Sequence, residues 1–447
     1  MEISNLKFRL TREEILTKRR KNQNVILLTG ISGFLGGHLA AELIKQNKKV
    51  IVLCRLKARN NNICEDKKSD SDSDSDIRSR VENILNWHQL TLNDCKNLDI
   101  LKGELTQDKF SLEKSEFRKL VDSVDEIIHI AASTSFADSK KEEIKNANIL
   151  ALNNLITFAR ESKCYFFHHV STAYACGKIF SDMPVEEKLI DNLHFNNYYE
   201  ESKNIGEKIL IENCKNEGIR WNIIRPSITY GHSQTGRTHN FNALYYPVRI
   251  IHYLKTLCEK EFLKNGGTNT KEMATMGIKV LDNGKIFMQL RVAAAASDKG
   301  TIDSINLIPV DYFVNGFKAI MEDSIDIKGD NVYHLVNDHS PSLEELLNYT
   351  KKFFNIDGIV IEKRPSKDCD LNKMDRFFDS PNALEILFER YINIYKPYML
   401  DSRKFENYRT KKILNKYNII CPIFDYQIFE KCMKYALEVD WGKNCKF

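Results

Sequence analysis

The stretch "LLTGISGFLGGHLAAELI" (residues 27–44) changes character twice. An apolar run ends in Gly30, Gly33, Gly36 and Gly37, and apolar residues then return with helical spacing. Glycine in a turn carries an entropic cost, so its repetition implies positive φ or a close approach to the backbone. Working outward, "NVILLTG" (24–30) reads as a strand. "HLAAELIKQN" (38–47) reads as a helix with Leu39, Leu43 and Ile44 on one face, and "KKVIVLCR" (48–55) as a second buried strand. Strand, glycine turn, helix and strand in about 30 residues form a βαβ unit, which implies a parallel sheet covered on both faces.

The same alternation continues. "LDILKG" (98–103), "VDEIIHIAA" (124–132), "CYFFHHVST" (164–172) and "RWNIIRPSITYG" (220–231) read as strands, with a helix around 144–162. The fold class is therefore α/β: a Rossmann-type doubly wound parallel sheet with a smaller, mostly helical C-terminal substrate domain. The expected organisation is a polar extension over 1–23 and a dinucleotide-binding domain over 24–235, completed by about 303–340. Within it, a mobile acidic insertion at about 60–76 precedes a helix at 77–90. Residues 236–302 and 341–447 form the substrate-binding region, where 241–257 and 306–321 read as helices and "NVYHLVN" (331–337) as a strand returning to the main sheet.

A chain of 447 residues, 42% hydrophobic and 28% charged, has the composition of an ordinary globular protein with a full core. Its net charge of +5 gives no reason to expect nucleic acid or an anionic membrane as partner. The runs "KRRK" (18–21) and "DSDSDSD" (70–76) read as solvated segments. Eleven scattered cysteines without metal-ligand spacing fit free thiols in a reducing compartment, and no metal is expected. No apolar signal core or spanning run of about 18 residues is present, which predicts a cytoplasmic protein without a transmembrane segment. Oligomeric state is not legible.

The spacing G-x-x-G-x-x-G differs from the common G-x-G-x-x-G fingerprint. Its physics is shared: glycines admit a pyrophosphate close to the backbone, and the next helix offers free N–H groups and its dipole. An acid at the end of the second strand would take a ribose 2′-hydroxyl, whereas Arg55, with Lys57 and Arg59 close behind, suits a 2′-phosphate. NADPH/NADP is the expected cofactor. Farther on, "YYEESKNIGEKI" (198–209) sets Tyr199 and Lys203 one helical turn apart. A nearby ammonium lowers a phenol's pKa from about 10, making Tyr199 a proton donor to a carbonyl oxygen that receives hydride. Tyr198 lacks a lysine at that offset.

Together with "VSTAYACG" (170–177), these motifs resemble the extended branch of the short-chain dehydrogenase/reductase superfamily, in matching order through about residue 340. By that resemblance "TGISGFLG" is the cofactor turn, with Thr29, Gly30, Ser32, Gly33, Phe34, Leu35 and Gly36 touching the dinucleotide. "DEIIHIAA" (125–132) matches its D-x-x-x-H-x-A-A motif, placing Ala131 and Ala132 at the cofactor, with His129 a packed strand residue. Pro226, Ser227 and Ile228 of "RPSITYG" fall near the nicotinamide. The implied tetrad is Asn148, Thr172, Tyr199 and Lys203, with Thr172 preferred to Ser171 by its distance from the glycine of "STAYACG" and Asn148 supporting the lysine through water. Lys203 also serves the cofactor. Glu104 stands where an aspartate is usual, and Ala151 where a glycine is common.

"SQTGR" (233–237) and "INLIPVDYFVNGF" (305–317), followed by "VYH" (332–334), narrow the resemblance to thioester reductase domains and fatty acyl-CoA reductases, the male-sterility-type NAD(P)-binding domain. It implies NADPH-dependent reduction of an acyl thioester, presented on coenzyme A or an acyl carrier protein, to an aldehyde, with the alcohol as the alternative end product. The apolar segment 241–257 is expected either to line an acyl channel or to be a core helix. Alternatives on the same scaffold are a ketoreductase of β-ketoacyl or sterol-like substrates, a nucleotide-sugar epimerase and a non-catalytic dinucleotide sensor.

Overall fold

The computed structural model describes residues 9–55, 70–179, 183–191, 194–296, 302, 304–325, 331–365, 378 and 380–443. Lys57, Arg59 and the first part of the expected acidic insertion lie outside them. The strands in chain order are β1 (Val25–Thr29), β2 (Lys49–Cys54), β3 (Leu98–Lys102), β4 (Glu126–His129), β5 (Phe166–Val170) and β6 (Arg220–Pro226). They continue with β7 (Ile228–Tyr230), β8 (Ile278–Val280), β9 (Ile286–Ala296), β10 (Leu307–Pro309), β11 (Val332–Leu335) and β12 (Ile356–Pro365).

Seven of them form one parallel sheet in the order β11-β6-β5-β4-β1-β2-β3, the doubly wound arrangement that the alternation predicts. Strand side chains alternate between two covered faces, as period two requires. Ile26, Leu28, Val50 and Val52 join a core with Leu39, Leu43, Phe313 and Phe317 of the helices Phe34–Lys45 and Val310–Asp323. Leu27, Ile51 and Leu53 point the other way, toward Phe117, Leu155, Phe158 and Leu210. Chain order reverses between β1 and β4, and the crevice beyond their carboxyl ends is where such sheets bind ligands.

The C-terminal region is helical but also holds a small sheet, β12-β9-β8, that the sequence did not announce. Strand β9 lies within 236–302 and β12 beyond 341, so these two stretches pair into one unit. The expected strand 220–231 is two: after Pro226, which has no N–H for a ladder, the chain leaves the main sheet and β7 pairs with β10. That short strand β10 also replaces the start of the expected helix at 306, which begins instead after Pro309.

Two charge runs differ from expectation. The helix expected at 77–90 is Asp70–Trp87, so the backbone of the Ser-Asp repeat is helical rather than a mobile loop. Acidic residues are favourable in a helix's first turns, where they face the positive end of its dipole. "KRRK" is solvated only in part: it closes the helix Arg12–Arg20, started by a Thr11–Glu14 capping box, with Arg20 and Lys21 exposed but Arg19 turned inward. Arg19 is only 3% exposed and grips the fully buried Glu126 of β4 with Nε and Nη2, both at 2.8 Å, while Lys18 pairs with Asp125. Tyr165 and Asn24 also donate to Glu126, at 2.9 and 3.1 Å. Burial pushes that carboxyl upward, but the Arg19 charge and the bonds from His168 and Arg19 hold it well below the usual range. Among the described residues no helix is long and apolar enough to cross a membrane.

Replacing Arg19 with Met leaves Glu126 buried without its counter-charge, a loss of about 3–5 kcal/mol for a broken buried pair. Denaturant unfolding should register that loss, and Arg19→Met/Glu126→Gln should recover most of it.

Candidate functional site

Two glycines bring the turn after β1 closer to its neighbours than a side chain allows. Gly30 has φ 85°, and a Cβ there would lie 2.6 Å from the Ala131 nitrogen beyond β4. A Cβ on Gly36 would lie 2.0 Å from the Gly30 carbonyl oxygen. Both serve the internal fit of turn, strand and helix. Gly33 is the N-cap of the helix Phe34–Lys45, and no side chain caps that end. Its first-turn N–H groups therefore face the large cavity of about 780 Å³ that Gly33, Phe34, Leu35 and Gly36 help to line.

Most residues expected around the dinucleotide border this cavity: Gly30 and Ser32 of the turn, Arg55 after β2, Ala131 and Ala132 after β4, Lys203, and Pro226, Ser227 and Ile228 after β6. Thr29 does not. It is fully buried, and its hydroxyl meets His129 Nδ1 at 2.8 Å behind the turn, because the alternation of β1 points it inward. Arg80, which sequence reasoning passed over, donates to the Arg55 carbonyl at 2.9 Å, so a second guanidinium stands at the end of β2. Ser171 and Ser227 line the cavity with buried hydroxyls that find no partner among the described residues. An uncapped helix end, a glycine cradle and orphaned hydroxyls at the sheet's switch point together fit a dinucleotide.

Tyr199 and Lys203 face the same cavity from the helix Tyr198–Glu217, whose N-cap Asn197 accepts from the Glu200 nitrogen at 3.1 Å. The Thr172 hydroxyl, two residues beyond β5, lines the same cavity and lies close enough to the Tyr199 phenol to act on its titration. Against expectation, that phenol stands above its ordinary pKa: burial raises it, outweighing the opposite effect of Thr172, and the Glu200 charge adds to the rise. Lys203 donates to the Val170 carbonyl at 2.8 Å. Burial lowers its pKa to about 8, against the pull of Glu207. Glu207 is itself engaged by Arg225 at 2.5 and 2.8 Å. His129 is buried against His169, ring centroids 5.3 Å apart, as a packed strand residue.

The expectation for Asn148 is support of Lys203 through water. Asn148 sits in a π-helical turn, Asn146–Leu150, that interrupts the expected continuous helix, and it does not line the cavity. Its amide accepts from Ser133 N at 2.8 Å and donates to Ser133 O at 3.1 Å and Ser202 Oγ at 2.9 Å. It therefore fixes the loop after β4 to the Tyr198–Glu217 helix. Such π turns are rare and concentrate at functional sites. Tyr198, the unselected neighbour, stacks under Lys141 on the outer side of this region.

The cavity continues as an apolar branch. Pro247, Val248 and Ile251 of the helix Tyr245–Lys264 face Leu346 and Leu347 of Leu343–Phe354, with Phe388 nearby. Where the branch meets Tyr199, Phe136 lies 5.8 Å from the Tyr199 ring and stacks on Tyr398 at 5.1 Å. Tyr395 and Tyr398 come from "YINIYKPYMLDSR" (391–403), whose only legible signal was its aromatic density.

The chain is similar to known proteins in sequence and in fold. The sequence matches the family described as Male sterility protein over residues 28–317. It is 33% identical over 187 residues to rat fatty acyl-CoA reductase 1, covering 38% of this chain and 33% of that one. It is 28% identical over 258 residues to probable polyketide synthase 39 of Dictyostelium discoideum, covering 50% of this chain and 8% of the synthase. The chain thus aligns with a third or less of these relatives' lengths. In structure it resembles the terminal R domain from the myxalamid PKS-NRPS biosynthetic pathway, with TM-score 0.65, 19% identity, and coverage of 94% of this chain and 92% of that one.

Gly36→Ala must push Gly30 out of its fit, whereas Gly33→Ala meets only a 3.3 Å contact. Fluorescence titration with NADPH should show Gly36→Ala losing most of its affinity and Gly33→Ala losing less.

Proposed function

The chain belongs to the male sterility protein family, and from that premise we propose that it is an NADPH-dependent reductase of acyl thioesters. The observation that carries this reading is the joining of two features in one cavity: the Thr172–Tyr199 hydroxyl pair with Lys203, and a branch walled by aliphatic side chains. A small ketone needs no such branch; an acyl chain does. The named relative that reduces fatty acyl-CoA supports the choice of substrate class.

In this reading Gly33, Phe34 and Leu35 hold the pyrophosphate, Arg55 and Arg80 the 2′-phosphate, and Lys203 the ribose beside the nicotinamide. The reduced nicotinamide supplies a hydride to the thioester carbonyl carbon. Thr172 and Tyr199 donate hydrogen bonds to the carbonyl oxygen as negative charge develops on it. Lys203, cationic below about pH 8, adds its field to the same end of the site. Collapse of the resulting hemithioacetal breaks the C–S bond, releasing a thiol and leaving an aldehyde. The thiol's carrier is coenzyme A or a carrier protein, and a second reduction would give the alcohol. No cysteine nucleophile is required: Cys54, which lines the cavity, and Cys176 are both buried and pushed up to about 11.

With a panel of acyl-CoA thioesters, NADPH consumption and free thiol should appear together, and Tyr199→Phe should lower kcat about 100-fold or more. NADPH loss on β-keto substrates without thiol would replace this reading with the ketoreductase one, and full activity in Tyr199→Phe would exclude Tyr199 from either. Arg80→Ala should raise the KM for NADPH by about tenfold, the cost of a charge-assisted bond, and leave that for NADH unchanged. Equal effects on both would remove Arg80 from the 2′-phosphate site.

A further inference from the structure

The first turn of the Tyr199 helix is held by a charge from the far end of the chain. Glu200, next to Tyr199, is fully buried. The Arg403 guanidinium, 4% exposed, bonds Glu200 Oε1 at 3.0 Å and also pairs with Asp401. The same guanidinium donates to the Gly177 carbonyl at 2.9 Å, beyond the turn that Thr172 caps, and lies 4.7 Å above the Tyr174 ring. Tyr398 accepts from Asn197, the helix N-cap, at 2.8 Å, and the nearby Glu200 charge adds to the rise that burial gives its phenol. Arg403 thus touches both segments that present the hydroxyl pair, but neither hydroxyl itself.

A buried carboxylate beside a phenol opposes the build-up of negative charge on that phenol. Arg403 offsets that opposition, and its planar fork fixes the direction of the first helical turn. We propose that Arg403 is a positioning residue for Tyr199: it neutralises Glu200 and clamps residues 395–403 across the start of the helix, setting the phenol against Thr172. The proposal rests on Tyr199 acting on a carbonyl oxygen, but not on that carbonyl being a thioester.

The test uses whichever carbonyl substrate, thioester or ketone, the wild-type protein reduces with NADPH. Arg403→Met should lower kcat by about tenfold or more while the KM for NADPH stays within about twofold, since the cofactor end of the cavity is untouched. Arg403→Lys, which keeps the charge and loses the fork, should fall between. Glu200→Gln added to Arg403→Met removes the stranded carboxylate and should restore much of kcat, and it also gives a variant without a buried unpaired charge should Arg403→Met fail to fold. Thermal midpoints of all variants separate recovery of folding from recovery of turnover. An unchanged kcat in Arg403→Met, or a double variant that regains its midpoint without regaining kcat, overturns the proposal. Full activity in Tyr199→Phe would instead sink the assignment of Tyr199 itself.

Discussion

The molecule depends on a contact that no side chain could make. Gly30 passes so close to Ala131 that a Cβ would collide at 2.6 Å, and Gly36 rests on Gly30 more tightly still. This fit lets the turn after β1 fold back over the crevice where β1 and β4 part, and it directs the helix Phe34–Lys45 so that its uncapped end opens into the cavity. The glycines were legible in the sequence as a sign of close approach. What approaches closely turns out to be, at two of the positions, the protein's own backbone.

The sheet was readable because its strands are buried on both faces and so appear as unbroken apolar runs separated by helical periods. That Tyr199 and Lys203 share a face was readable for a related reason, since helical spacing determines where short-range neighbours fall, and the structure brings both to the cavity that Thr172 also lines. The direction of Thr29 was not legible, because a motif names a position without giving its side chain's direction, and the alternation of β1 turns it inward. The π turn around Asn148 was not legible because it leaves no mark in hydrophobic periodicity. Arg80, Tyr395, Tyr398 and Arg403 could not be found by spacing at all. They reach the site through tertiary packing from a helix beyond β2 and from near the chain's end, and one sequence carries no record of which distant residues meet.

Three buried pairs organise the polar interior: Arg19–Glu126, Arg225–Glu207 and Arg403–Glu200. Each joins elements far apart in sequence or adjacent across a layer, and each carboxylate is fully shielded from water. Such pairs contribute little net stability compared with apolar packing, but a mispaired arrangement would leave a bare charge inside and is strongly disfavoured. They select one arrangement among many compact ones. The phenol, the lysine and the cavity walls inherit their mutual geometry from that selection.

Arg19 also donates to the Met321 carbonyl, so the helix Arg12–Arg20 is completed by a residue some three hundred positions downstream. On a ribosome that helix and Glu126 emerge long before the segment that finishes their surroundings. Contacts of such sequence separation form late, after the loops between them have closed. A nascent chain would therefore hold the glycine turn and the β1–β4 pairing while its wall of residues 395–403 was still unmade. Synthesis itself orders assembly, and the wall of residues 395–403 is added only after the strands that it covers have emerged.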